Sequence, residues 1–171
     1  MIEIIQPNIQ HASVLSEIGG KSFIESHGNS ASEKDIQNYV SMHFNEQIFE
    51  KELVDQANIY YLVLLDKVPV GYSKLRLNTS LPTINEKPVC KLDRLYVLKD
   101  VYDKGIGKKL FDVNVQVAKN HDQKGMWLFV WTENYRAIKF YEKHGFVNAG
   151  DTSFKISETH SNPNYYMYLA F

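Results

Sequence analysis

The chain has 171 residues, 44% of them hydrophobic and 13% aromatic, with a formal net charge of −1. This fits one domain over residues 1–171 with a real core, and it speaks against disorder, low complexity or a repeat architecture. The near-neutral sum argues against non-specific nucleic-acid binding, no apolar run reaches a membrane span, and MIEIIQPN lacks the parts of a signal peptide, so a cytoplasmic chain is expected.

Glu3 to Gln6 is expected as a short strand, followed by helices over Ile9 to Ile24 and Glu33 to Phe44, the second capped by Ser30 or Ser32. Ile59 to Leu65 and Val68 to Leu77 read as strands joined by Asp66-Lys67. Asn78 to Pro88, polar and holding two prolines, reads as a loop. Val89 to Val97 is the central strand, after which Ile106, Leu110, Val113 and Val117 recur as one helical stripe. Met126 to Trp131 is a continuous apolar run, as expected of a strand buried on both faces. Asn134 can cap the next helix and Gly145 end it. Phe146 to Ala149 and Asn164 to Phe171 complete the strands, with Ser157 to Pro163 as their exposed connection.

Chemistry concentrates in VLKDVYDKGIGKKLF, Val97 to Phe111, which reads as a pyrophosphate cradle. Gly105 and Gly107 remove side chains where backbone must approach a ligand, and a helix start presents unpaired N–H groups. Lys104, Lys108 and Lys109 add cationic charge. A Walker loop is excluded because Tyr102 and Lys109 stand where Gly and Ser or Thr are needed, and a dinucleotide fingerprint because Leu110 replaces its third Gly. A strand, a GxG turn and a helix, followed by the second block MWLFVWTENYRAIKFYEKHGF, resemble the acyl-CoA site of the GNAT superfamily of N-acetyltransferases.

The resemblance implies an α+β fold, a mixed and mainly antiparallel sheet flanked by helices and split at the acyl-CoA site. It also implies acetyl-CoA as cosubstrate, no metal, and direct transfer to an amine. Leu95, Tyr96 and Val97 match the strand whose backbone pairs with pantetheine, and Asp103, Lys104, Gly105, Ile106, Gly107 and Lys108 match the pyrophosphate loop. Asn134 matches the asparagine that bonds the pantetheine arm or a water, and Tyr141 the tyrosine that protonates the CoA sulfur. Asp93, placed by strand alternation on the face of Leu95 and opposite Arg94, is the general-base candidate, with a salt bridge elsewhere on the sheet as the other reading. Two departures imply a weaker hold on pyrophosphate: Tyr102 replaces the usual Gln or Arg, and Asp103 replaces a common Gly and is expected to turn its carboxylate away.

Residues 1–58 hold nine acids and three bases, whereas the rest of the chain is net basic. The N-terminal half further resembles PaiA-type polyamine acetyltransferases, through Phe23, Ser32 to Asp35 before Tyr39, Glu52-Leu53, Tyr60-Tyr61, Val70 to Tyr72, Lys74-Leu75 and LDRLYVLKD. That likeness implies spermidine or spermine as acceptor, and the charge split leads to the expectation that acids from residues 25 to 55 bind it. A protein N-terminus, an antibiotic amine, and a non-catalytic acyl-CoA-binding module are the alternatives. The six histidines show no metal-ligand spacing, and Cys90, the single cysteine, reads as a buried structural thiol. Tyr165, Tyr166 and Tyr168 are consistent with a sheet-edge homodimer and equally with core packing.

Overall fold

Asp66 and Lys67 both take positive φ (50° and 67°), the backbone twist of a two-residue hairpin turn. In the computed structural model, which describes residues 1–171, they pin β2 (Asn58–Leu65) against β3 (Val68–Arg76). β1 (Ile2–Ile5) adds to β2, and β4 (Cys90–Val97) pairs antiparallel with β3. Beyond β4 come β5 (Gly125–Trp131), β7 (Ser161–Ala170) and β6 (Val147–Lys155), giving the order β1-β2-β3-β4-β5-β7-β6. Only the β4–β5 pairing is parallel, as a helical crossover between the two strands requires.

Alternation along the strands assigns helices to the two faces. Tyr72 of β3 packs with Leu15 and Phe23 of α1 (Ala12–His27), Ile36 of α2 (Glu33–His43) and Phe49 of α3 (Glu46–Val54). Leu75, on the opposite face, packs with Phe111 and Ala118 of α4 (Ile106–Asn120) and Tyr141 of α5 (Tyr135–Lys143). No helix is long and apolar enough to cross a membrane.

Several elements differ from expectation. A 3-10 turn, Ile9–His11, precedes α1, because Asn8 caps it and its ladder begins afresh at Ala12. α2 starts at the Ser32 cap, one of the two expected, and ends at His43, with Phe44 as its C-cap. The stretch after it forms the unforeseen α3, where the Asn45 side chain accepts the Ile48 N–H (3.0 Å) and Phe49 alone is buried, too little periodicity for a sequence signal. The buried stripe of α4 runs through Ile106, Leu110, Asn114 and Ala118, with Val113 and Val117 only half-buried. Asn114 belongs there because its Nδ2 donates to Ser73 Oγ (2.8 Å) and to the Leu110 carbonyl (2.7 Å).

β7 begins inside the expected loop, at Ser161, and β6 runs past its expected end at Ala149 to Lys155, so the connection shrinks to the turn closed by the His160 carbonyl accepting from Ile156 and Ser157. Pro163 is tolerated inside β7 because it lies beyond Trp131↔Asn164, the last pair with β5. On that side its carbonyl still accepts the Thr132 N–H (3.0 Å), so the ring costs only the donor.

Two irregularities shape the middle of the sheet. β4 and β5 pair only through Cys90↔Met126 and Lys91↔Trp127 and then part. The β3–β4 register jumps from Lys74↔Arg94 to Leu75↔Leu92, leaving Asp93 as a bulge. Cys90 is fully buried at the root of the parting, its Sγ 3.4 Å from the Gly125 carbonyl oxygen.

Gly71 allows β3 to lie close against β4. A Cβ there would fall 2.6 Å from the Tyr96 carbonyl oxygen, a backbone atom that cannot swing aside. Gly71→Ala is expected to cost about 1–3 kcal/mol, read as a lowered urea midpoint.

Candidate active site

Where β4 and β5 part, a cavity of about 780 Å³ runs between the two helical layers. Past Lys91 the β5-facing edge of β4 has no partner strand, so its backbone N–H and C=O groups are free to bond a guest lying alongside. Leu95, Tyr96 and Val97 stand on that stretch and line the cavity, their other edge being paired with Ser73, Tyr72 and Gly71.

The chain then enters the glycine turn, where Asp103 (φ 64°) and Gly105 (φ 73°) are left-handed. A Cβ at Gly105 would meet nothing within 4 Å, and one at Gly107 only Phe140 (3.9 Å) and Val97 (4.0 Å). The space over the turn is therefore open. Ile106, Gly107 and Lys108 begin α4 without intrahelical acceptors for their N–H groups, and Gly105 offers no side-chain cap. Open space, free donors and the positive end of the peptide dipoles fit a phosphate group. Asp103, Gly105, Ile106, Gly107 and Lys108 border the cavity, whereas Lys104 is exposed and does not.

Asp103 directs its carboxylate outward, its side chain 91% exposed and 3.4 Å from Arg136 of α5. The Arg136 guanidinium lies over the Tyr102 ring, 3.5 Å from its centroid. Sequence reasoning missed Arg136, since only the fold brings α5 beside the turn. It supplies a cation next to Tyr102, the residue found in place of Gln or Arg.

Asn134 caps α5 by accepting the Ala137 N–H (3.2 Å) and borders the cavity. Further along the same helix, Tyr141 packs edge-on to Phe140 and Phe146 (ring centroids 5.4 and 5.3 Å). Burial, with Tyr96 adding to it, holds its pKa above the ordinary phenol value. Tyr141 thus keeps its proton at neutral pH.

Asp93 does not sit as strand alternation predicts. The bulge turns it away from Leu95 and toward Lys91 (2.5 Å), Lys74 (3.3 Å) and the side of Arg94. Burial alone would raise its pKa, but Lys91, then Lys74 and Arg94, outweigh it and hold the carboxyl below its usual range. Glu52 of α3 closes the network, bonding Lys74 (2.8 Å), Arg94 (2.9 Å) and the Tyr60 hydroxyl. The salt-bridge reading of Asp93 is the one the geometry follows.

Residues 25–146 match the acetyltransferase (GNAT) family, and the chain belongs to that family. The PaiA N-acetyltransferase of Thermoplasma acidophilum, solved in complex with coenzyme A, shares the fold with a TM-score of 0.82 at 20% identity, covering 100% of this chain and 99% of that one. An uncharacterized N-acetyltransferase from the pepI 3′ region of Lactobacillus delbrueckii subsp. lactis is 22% identical over 157 residues, 92% of this chain and 91% of that protein. The "Probable spermine N(1)-acetyltransferase" of Bacillus subtilis subsp. natto is 29% identical over 86 residues, 50% of this chain and 57% of that protein.

At the far wall His27 stacks on Phe23 (centroids 4.6 Å apart, planes 11°) and tilts against Trp131 (5.9 Å), with Nδ1 2.7 Å from Ser26 Oγ. Burial pushes its pKa down from 6.5 to about 4, against an opposing hydrogen bond to the Phe23 backbone. Between these values the unfolded chain binds a proton that the folded one does not, so stability is full above pH 6.5 and falls as pH drops toward 4. His27→Phe, which preserves the stack, should lose less stability than wild type across that window, by an amount on the order of 2 kcal/mol in urea titrations.

Proposed function

We propose that this protein, acting as a single domain over residues 1–171, transfers the acetyl group of acetyl-CoA directly to a primary amine. One observation carries the reading: an unpaired strand edge, an open glycine turn at a helix start and a protonated buried phenol converge on a single cavity. Coenzyme A in the Thermoplasma relative supports it.

In this reading the turn from Asp103 to Lys108 and Arg136 hold the pyrophosphate, and the free edge at Leu95, Tyr96 and Val97 aligns the pantetheine arm. Asn134 adds an amide near that arm. The amine nitrogen bonds to the acetyl carbon as the carbon–sulfur bond breaks; Tyr141 gives its proton to the departing thiolate, and the amine loses one. Asp93 is a weak base because Lys91 and Lys74 already hold it. We assign it to positioning those lysines, with the amine proton leaving to solvent.

The finer reading, a polyamine acceptor, is supported by the name of the Bacillus relative. The acidic N-terminal third adds little to it. Of its nine acids only Glu25 borders the cavity, and Glu25 accepts the Lys99 backbone N–H (2.8 Å). Glu52 is engaged by Lys74 and Arg94.

Two variants test the assignment. Tyr141→Phe should keep CoA affinity while lowering kcat by about 10²-fold, measured as thiol release with an amine panel. Wild-type turnover would reduce Tyr141 to a packing residue. Gly107→Val should fold, since its side chain enters open space, yet bind CoA at least about tenfold more weakly by calorimetry. Unchanged affinity would place the cofactor elsewhere.

A further inference from the structure

The acceptor side of the cavity carries a charge imbalance that the proposed reaction leaves unused. Lys74, Lys91 and Arg94 face Glu52 and Asp93, three cations against two carboxylates, with side chains only 7% to 21% exposed. Lys74 bonds to both carboxylates and does not line the cavity, whereas Lys91, Arg94 and Asp93 do, so this group faces the cavity with two cations against one carboxylate, the Asp93 that Lys91 already holds (2.5 Å). Lys91 Nζ lies 4.6 Å from the Phe129 ring centroid and 5.2 Å from that of Trp127, held against aromatic faces rather than in bulk water. Arg94 is likewise set over Phe44 (5.2 Å) and Phe49 (5.4 Å).

A second observation comes from β7. Asn162 and Asn164 line the same cavity at 1% and 6% exposure. Asn162 Oδ1 meets His160 Nε2 (2.9 Å), but its Nδ2 has no partner, and neither has Asn164 Oδ1. Buried amide groups are rarely left unpaired, so these mark where a polar guest belongs. Phe129, Trp131, Phe154 and Tyr39 make the rest of this wall aromatic.

Resting on the acetyltransferase reading above, we infer that the acceptor is a primary amine that itself carries a carboxylate on an otherwise apolar body, the carboxylate answering Lys91 and Arg94 with Asn162 Nδ2 as a further donor. A buried cation in excess needs a counter-anion, and a carboxylate accepts from ammonium, guanidinium and amide N–H alike. A polycation would bring like charge to like. The same excess charge disfavours a protonated amine and favours its free base, the form that attacks.

The test titrates CoA-loaded wild-type protein with phenylalanine and leucine, each beside its carboxamide and its decarboxylated amine, and with spermine. Binding is read by calorimetry and turnover by thiol release. The amino acids should bind about tenfold or more tightly than their counterparts without a carboxylate, with spermine weakest. Lys91→Met, shown by circular dichroism to fold and by titration to bind CoA normally, should erase that preference. Equal binding of the carboxamides, tighter binding of spermine, binding of none of the probes, or an undiminished preference in folded Lys91→Met would overturn the inference. A carboxylate preference in binding without thiol release supports the inference and removes the acetyltransferase reading. Thiol release without the preference does the reverse.

Discussion

Everything in this molecule depends on two strands that must pair and then part. Backbone groups in the middle of a sheet are normally satisfied by neighbours, and an open edge there is costly unless something else meets it. β4 and β5 hold together through two residue pairs and then diverge. Because α4 and α5 each follow the C-terminal end of one of these strands, both helix starts open toward the same gap. That single divergence explains why a glycine turn, an asparagine cap and a free strand edge lie together, although they are scattered along the chain.

The bulge at Asp93 is the companion device. By skipping one pairing position it places Lys91, Asp93 and Arg94 on one side of the sheet, where plain alternation would have divided them. α3 then acquires a purpose beyond packing. Phe49, fully buried, anchors it to the core, and Glu52, one turn later, reaches Lys74 and Arg94. Isolated ions would be prohibitive at this depth, but cross-linked carboxylates, cations and ring faces make their burial tolerable.

What could be read in the sequence follows from locality. The hairpin at Asp66-Lys67, the Gly105 turn, the Asn134 cap and the apolar run of β5 are each specified by neighbouring residues, and the sequence-based boundaries lie close to those observed. The candidate site residues gather on one cavity, with Lys104 left outside. What escaped reading depends on distant contacts. Asn114 looks like a surface residue until Ser73 is brought to it, and Arg136 looks solvated until Tyr102 lies beneath it. The Asp93 bulge leaves no local mark, since it arises from register between strands. Asn162 is hidden by Pro163, which reads as a loop residue unless the end of β5 is known, and Asn164, though read as the start of the last strand, shows its place on the cavity only in the fold. The acidic count of the N-terminal third was a sum over surfaces that face different ways.

Cys90 gives the parting a built-in gauge. It lies within the first of the two residue pairs joining β4 to β5, fully buried, its pKa pushed by burial up to about 12. A thiol so placed is inert while the strands are joined, because neither thiolate nor access is available. Alkylating reagents would reach it only through molecules whose central seam has opened, so the rate of labelling would report the free energy of that opening. As the chain's only cysteine, it would provide this signal at one defined point, with no other thiol to obscure it.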